Sequence, residues 1–456
     1  MAEEAIPPRS VLARISRRAD FWAFLAFASL GFGYCFITPP FRGPDERNHF
    51  LRSYQVSEFR FVGHRLPDGF TGDELPAALA QLSDAVGNHD DNRLTEAQLA
   101  AARAVTLDPA QRQPIEFSNT TLYSPIAYIP AAVAIRLGRA LGISPLHLFY
   151  LARIANVLAT SCLIALAVRR LGYARWPALL AVSLPMAVSQ MSLVTADAFT
   201  FAFCFFWIAW VAELATADTT VISPKRVAAL CGVALLLSQL RPPYPLLALA
   251  IFAVPLRRFG GRWMAALAPA AVLLAAILPA VAWNVSARPL FVPDLGFDLQ
   301  NRVTVLREGP LAFVRAAQHD IARRGADRWS QAVGRFGWLN IPLPSALTTG
   351  YAAALALSCL LAAPDLRRPR WWQRAIWLAT AVIGMIAIQV LLFVTYDLGW
   401  IQGRYLIPFV AVLAFAAGGL MTARERLRTV LLIGCILIAA ATHAASLLAI
   451  ARASGV

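Results

Sequence analysis

The sequence is poor in charge. Only 15% of its 456 residues are Asp, Glu, Lys or Arg, against 58% that are apolar. A soluble globular domain carries about 25% charged and 45–50% apolar residues. A mean hydropathy of +0.58 therefore excludes water as the main solvent. Cysteine is scarce too, and all six (Cys35, Cys162, Cys204, Cys231, Cys359, Cys435) fall inside apolar runs. That placement argues against a disulfide framework or a CxxC metal site and reads as small core residues. His64, His89, His147, His319 and His443 have no HxxxH or HExxH partner, and NHDDN at 88–92 lacks calcium-loop spacing, so no metal ligation is expected. There is no GxGxxG, Walker loop, GxSxG or nucleic-acid module. The net charge of +15 sits in small Arg clusters between apolar runs rather than on one basic face, which fits membrane orientation and not a nucleic-acid partner.

What the sequence does have is apolar runs of membrane length, about 20 residues per crossing. Candidate spans lie at roughly 21–37, 147–168, 176–193, 197–214, 227–240, 244–256, 263–283, 346–363, 375–396, 405–421 and 429–450. Arg9, Arg14, Arg17 and Arg18 before the first run resemble a signal peptide, but no small-residue cleavage site follows Ile37, so an uncleaved first span is expected. The segment 123–141, YSPIAYIPAAVAIRLGRAL, is ambiguous: it is apolar, yet holds Pro125 and Pro130 and ends in Arg136 and Arg139. Charge parity decides. If 123–141 does not cross, the clusters at Arg169–Arg175, Lys225–Arg226, Arg257–Arg262, Arg367–Arg374 and Arg424–Arg428 all share the N-terminal side, which must then be the cytoplasm. The segment is expected in the outer interface, its basic end snorkelling to headgroups.

The fold class expected is an all-α polytopic membrane protein with about eleven transmembrane helices. A cytoplasmic N-terminus (1–20) precedes an N-terminal transmembrane module (21–283) that includes the outer loop 38–146. A second outer loop (284–345) and a C-terminal transmembrane module (346–456) follow. The stretch Asp68 to Asp108 reads as a small helical or irregular subdomain. In the second loop, Arg302, Arg307, Arg315, Arg323, Arg324, Arg328 and Arg335 alternate with Phe313, Ile321, Trp329, Val333 and Phe336. That spacing fits either an interfacial helix on anionic headgroups or a solvated basic helix.

Chemistry is expected directly after the first span, in PPFRGPDERNHFLRSYQ. Pro39, Pro40 and Pro44 stop the helix, and Asp45 suits the N-cap of the next one. His49 and Arg52 then follow on its face. Asp45 and Glu46 are the candidate catalytic carboxylates; the bland alternative is a cap and an ion pair. Asp197 at a span boundary reads as functional or as a helix cap with Thr195. Arg241 and Arg404 are lone cations at outer turns, where an anionic partner is required. Tyr123, Ser124, Tyr244 and Tyr405 are candidates to orient substrate oxygens, with interfacial aromatic belts as the commoner explanation.

The stretches GPDERNHFLRSYQVSEF, LYSPIAYIPAAVAIRLGRALGIS, LARIANVLA, SLPMAVSQMSLVTADAFT, LRPPYPLL, GRFGWLNIPLP and IQGRYLIPF occur in family order, and on them the chain resembles the bacterial membrane proteins of domain-of-unknown-function family 2142, placed with GT-C type glycosyltransferases. The resemblance implies a GT-C fold whose first outer loop bears juxtamembrane helices and a catalytic acid, here Asp45 with Glu46 beside it. It also implies a sugar donor on a polyprenyl phosphate and a glycan, lipid or protein acceptor, in the bacterial inner membrane. The arginines, with His49 and Arg52, would then bind donor phosphate or substrate. No second acidic motif is present, which puts a divalent metal in doubt. A transporter of lipid-linked sugars or a silent component of polysaccharide assembly are the alternatives.

Overall fold

The computed structural model describes residues 18–87, 91–217, 221–293, 299–361, 368–396, 398–419 and 424–455. Arg9, Arg14, Arg17, Asn88, His89, Asp90 and Arg367 lie outside the described residues. The chain is mostly helical. Six described helices are long and apolar enough to cross a bilayer: Ala19–Ile37, Pro145–Arg170, Ala196–Thr216, Arg262–Leu290, Trp371–Thr395 and Glu425–Ser454. The other five expected spans are shorter or broken. Pro185, which has no N–H to continue a helix, divides 176–193 into Arg175–Val182 and Pro185–Ser192. Pro224–Ser238 and Ser345–Leu360 have 15 and 16 residues, and Tyr244–Ala253 is a 3-10 helix of 10, whose steeper rise of about 2.0 Å per residue gives it a length of about 20 Å. Gly403–Ala417 is the remaining short apolar helix.

Ala196–Thr216 is the centre of the bundle, with 83% of its apolar window buried against 28% for Arg262–Leu290. Trp207 is fully enclosed there and donates its indole N–H to the Leu247 carbonyl at 3.0 Å. The peripheral helices instead expose Trp22, Leu25, Trp263, Leu267, Leu274 and Leu278, as surfaces solvated by lipid do. Cys162 belongs to that exposed set and Cys231 is half-buried, so those two are not the core residues expected.

The loop between the first two long helices is an ordered cap rather than a purely helical or irregular subdomain. Strands His64–Arg65, Thr71–Pro76 and Arg112–Glu116 form an antiparallel sheet in which Gly72 pairs with His64 and Glu116. Helices Ala77–Val86 and Glu96–Ala104 lie between the last two strands. The sheet was invisible to periodicity because TGDELP and RQPIE carry no apolar alternation. The cap has its own core, Phe41, Phe50, Leu75, Leu79, Phe117 and Ile135, continuous with Phe149 of Pro145–Arg170, and so it is docked on the bundle.

Segment 123–141 folds as a 3-10 turn, Pro125–Tyr128, and a helix, Ile129–Ala140. Twelve residues rise only about 18 Å. Ile129, Val133, Leu137 and Leu141 make an exposed apolar stripe while Ala131, Ala134, Ile135 and Gly138 are buried, Gly138 against Leu148 and Leu151 of helix Pro145–Arg170. At the basic end both guanidinium groups have protein partners: Arg136 donates to the Ser57 carbonyl (3.1 Å), and Arg139 pairs with the Glu58 carboxylate (2.9 Å), a charge-assisted bond.

Candidate active site

Helix Glu46–Ser57 starts at the proline turn, and Asp45 occupies its N-cap position without capping it. Its backbone is left-handed, φ +57°, whereas a capping residue is extended so that its oxygen reaches the first helical N–H groups. The half-buried Asp45 carboxylate turns away instead. Oδ1 accepts from Asn119 Nδ2 at 2.9 Å, and Asn119 Oδ1 accepts from Asn48 Nδ2 at 2.7 Å. The expectation that Asp45 caps is thus corrected, and its carboxylate is left available for other chemistry.

Glu46 has the opposite surroundings. It is 1% exposed and meets the guanidinium of Arg153 side-on, Oε1 to Nε at 2.8 Å and Oε2 to Nη2 at 2.7 Å. Oε1 also accepts the Val194 N–H at 3.0 Å. Arg153 in turn donates to the carbonyls of Cys35, Thr38 and Pro39. Together they tie the proline turn to helix Pro145–Arg170 and to the start of Ala196–Thr216. Glu46 is therefore an anchor, and the expectation of a catalytic carboxylate there gives way to an ion pair that consumes both oxygens.

At the same end of the bundle, Thr195 Oγ1 accepts from the Ala198 N–H at 3.1 Å and caps helix Ala196–Thr216. Asp197 is thereby released from capping, and it is 2% exposed. Oδ1 receives Arg241 Nη1 at 2.8 Å, and Oδ2 lies 3.6 Å from Arg404 Nε. The two lone arginines thus converge on one carboxylate. Arg404 Nη1 also reaches Gln190 Oε1 at 3.4 Å, while its buried Nε makes no hydrogen bond. Aromatic faces complete the cluster: Arg241 lies over Tyr405 (4.5 Å) and Tyr123 (5.2 Å), Arg404 over Tyr405 (5.4 Å). Cations stacked on π faces keep their charge while losing water. Tyr244 donates its hydroxyl to the Tyr405 carbonyl at 3.1 Å. Asp45 is near enough to Arg404 to interact with it electrostatically.

His49 and Arg52 do not stack with Asp45. His49 shares a 2.8 Å hydrogen bond with the Tyr128 hydroxyl and lies parallel to the Tyr123 ring. Arg52, fully buried, donates to Gln55 and to the carbonyls of Phe61 (2.8 Å) and Tyr123 (2.9 Å). It holds Tyr123 and lines neither of the two cavities described below. Ser124 caps Pro125–Tyr128 through the Ile126 N–H at 3.4 Å. Burial pushes the His49 imidazole down to about 3 from its ordinary 6.5; Arg241 and Arg404 add to this and Asp197 opposes it. The unfolded chain therefore takes up a proton below pH 6.5 that the native chain refuses until about 3. Stability is full above the higher value and falls as pH drops through that window. Thermal midpoints measured along the window are expected to fall for the wild type and to fall less steeply for His49→Gln; parallel profiles would refute the assignment.

Arg404 is positioned from the second loop. Helix Pro310–Gly334 carries Arg328, which pairs with Asp320 and donates to the carbonyls of Leu398 (3.0 Å) and Ile401 (3.3 Å). Gln331 accepts the Gly403 N–H at 2.9 Å. Of that loop's basic residues, Arg328 is thus internal, whereas Leu311, Val314 and Ile321 stay exposed. A Cβ on Gly403 would sit 1.9 Å from the Arg328 carbonyl oxygen, so only glycine permits the approach. Gly403→Ala is expected to shift Arg404 off Asp197. Its check is a lowered thermal midpoint together with loss of ligand binding at the cluster; wild-type values for both would show that the clamp is dispensable.

One cavity opens on the cluster and a second adjoins it. One, about 160 Å³, runs from Arg241, Tyr123, Tyr244 and Tyr405 along the apolar Ile388, Leu391 and Leu392 of helix Trp371–Thr395. The other, about 600 Å³, lies under the cap. They share Asn119, Leu122, Phe291 and Tyr396. Among the described residues no group of three or more His, Cys, Asp and Glu is placed to hold a metal. Arg153, Gln190 and Asn119 escaped the sequence reading. Arg153 had a signal, a lone cation inside a span, which demands an internal partner. Asn119, in the polar run SNTT, had none.

In comparison with known proteins, residues 28–414 match the model of a family described as Predicted membrane protein (DUF2142). No curated protein and no solved structure matches.

Proposed function

The chain belongs to that family of predicted membrane proteins, and from this premise we propose that it is a membrane glycosyltransferase of the GT-C type, with eleven spans and its loop end on the outer face of the bacterial inner membrane. The donor is a sugar on a polyprenyl phosphate; the acceptor belongs to an envelope glycan, lipid or protein. The observation that carries the reading is the convergence of Arg241 and Arg404 on Asp197, with Arg241 at the polar end of an apolar cavity. One carboxylate does not neutralise two guanidinium groups, so a phosphate is attracted there while its lipid follows Ile388, Leu391 and Leu392.

In this mechanism Asp45 accepts the proton of the acceptor hydroxyl. The oxygen forms its bond to the anomeric carbon as the bond from that carbon to the phosphate oxygen breaks. The electron pair leaves with polyprenyl phosphate, whose charge Arg241 and Arg404 stabilise. Asp197 holds both arginines in place. Tyr123 has its phenol pK raised by burial, against the pull of Arg241, and so stays a hydrogen-bond donor at neutral pH.

The test is product analysis with the purified full-length protein, radiolabelled polyprenyl-phosphate sugar and an envelope extract as acceptor. A new glycosidic bond is expected; translocation without cleavage, or neither event, would overturn the proposal. Arg241→Gln is expected to weaken donor binding at least tenfold, about 1.4 kcal/mol, measured by equilibrium binding in nanodiscs.

A further inference from the structure

The larger cavity differs in character from the apolar one it joins. Its walls include three aromatic rings, Phe70, Phe291 and Tyr396, and two carboxylates, Asp68 and Glu116, and among the described residues no Lys, Arg or His lines it. Two guanidinium groups adjoin its walls, and Arg47 is near enough to Glu116 to interact with it electrostatically. Arg65 donates to the carbonyls of Gly69 (2.7 Å), Pro289 (3.2 Å) and Phe291 (3.1 Å), which fastens the cap to the segment after helix Arg262–Ala287. Arg47 donates to the Glu116 carbonyl and to Asn48. Each lining carboxylate uses one oxygen in its own turn, Asp68 Oδ1 for the Phe70 N–H and Glu116 Oε1 for the Ser118 N–H, and its second oxygen retains acceptor capacity. At about 600 Å³ the chamber has the size of a ligand site. Asn119, whose amide donates to Asp45, stands at its junction with the donor cavity.

We propose that this chamber is the acceptor site and that it takes an uncharged, polyhydroxylated carbohydrate, presenting one hydroxyl past Asn119 to Asp45. The inference rests on the transfer reading above. Ring faces cover the C–H faces of a sugar, and carboxylate oxygens accept its hydroxyl protons. A phosphorylated or uronic acceptor would bring a like charge against Asp68 and Glu116, and among the described residues no guanidinium lines the wall to pair with it, so specificity comes from repulsion as much as from contact.

The experiment measures binding without donor. Full-length protein in nanodiscs is titrated with neutral trisaccharides of glucose and of mannose and with trigalacturonate, read by saturation-transfer NMR. Neutral sugars are expected to bind, with trigalacturonate at least tenfold weaker. The double variant Asp68→Asn, Glu116→Gln narrows that gap severalfold, and Phe70→Ala, at a half-exposed ring, weakens neutral binding severalfold. The proposal is overturned if no neutral sugar binds at tens of millimolar, if trigalacturonate binds as well as they do, or if Phe70→Ala changes nothing. Intact neutral-sugar binding without transfer would instead sink the reaction and leave the chamber standing. Transfer without neutral-sugar binding would sink the chamber alone.

Discussion

Asp45→Asn is expected to lower the rate of transfer by roughly 10²–10⁴-fold, the range for loss of a general base, with donor affinity unchanged. The substitution is nearly isosteric. Asn119 Nδ2 still finds an oxygen at the position where it now donates at 2.9 Å, and because Asp45 makes no capping bond to helix Glu46–Ser57, the helix does not depend on the charge. The thermal midpoint should therefore stay at the wild-type value. Single-turnover transfer from preloaded donor is the measurement. Equal rates in mutant and wild type would remove Asp45 from the reaction, whatever became of the rest of the cluster.

Its neighbour should behave in the opposite way. Glu46→Ala leaves Arg153 fully buried, 0% exposed, with a charge that three carbonyls do not neutralise. Removing one partner of such a pair costs about 3–5 kcal/mol. The expected result is a protein that loses its native thermal transition or purifies poorly, before any question of turnover arises. Glu46→Leu combined with Arg153→Met should recover part of that loss, since it removes the stranded charge, but not all, because the carbonyls of Cys35, Thr38 and Pro39 lose their donors. Thermal stability in detergent, followed by size-exclusion chromatography, separates these outcomes. A Glu46→Ala protein of wild-type stability but no transfer would return Glu46 to the catalytic group.

The pair Asp45–Glu46 also marks the limit of reading residues by type. Both are acids at the start of one helix, one residue apart, and nothing in PDERN distinguishes them. The distinction comes from Arg153, which lies 107 residues away from Glu46 in sequence, and from a left-handed backbone at Asp45 that no propensity announces. Asp197 was ambiguous in the same way. Thr195 takes the cap, and only then is Asp197 free to collect Arg241 and Arg404 from two other turns. His49 and Arg52 share a helical face with Asp45 in sequence, yet they are drawn to Tyr128 and to the carbonyls of Phe61 and Tyr123.

Hydropathy alone determined that the chain is a membrane protein, because burying runs of this length in lipid is favourable wherever they fold, and the number of apolar residues sets that energy. That 123–141 does not form one long helix followed from its two prolines. Where the polar residues at the loop end go was decided by tertiary structure only. Each buried carboxylate or guanidinium must find an opposite charge or a row of carbonyls, several offered comparable partners in sequence, and the packing of the bundle chose among them. Among the described residues, the spans expected from the sequence correspond to six helices long and apolar enough to cross and five shorter or broken ones, one break falling at Leu184–Pro185 and another helix starting at Gly403, beside Arg404 of the cluster.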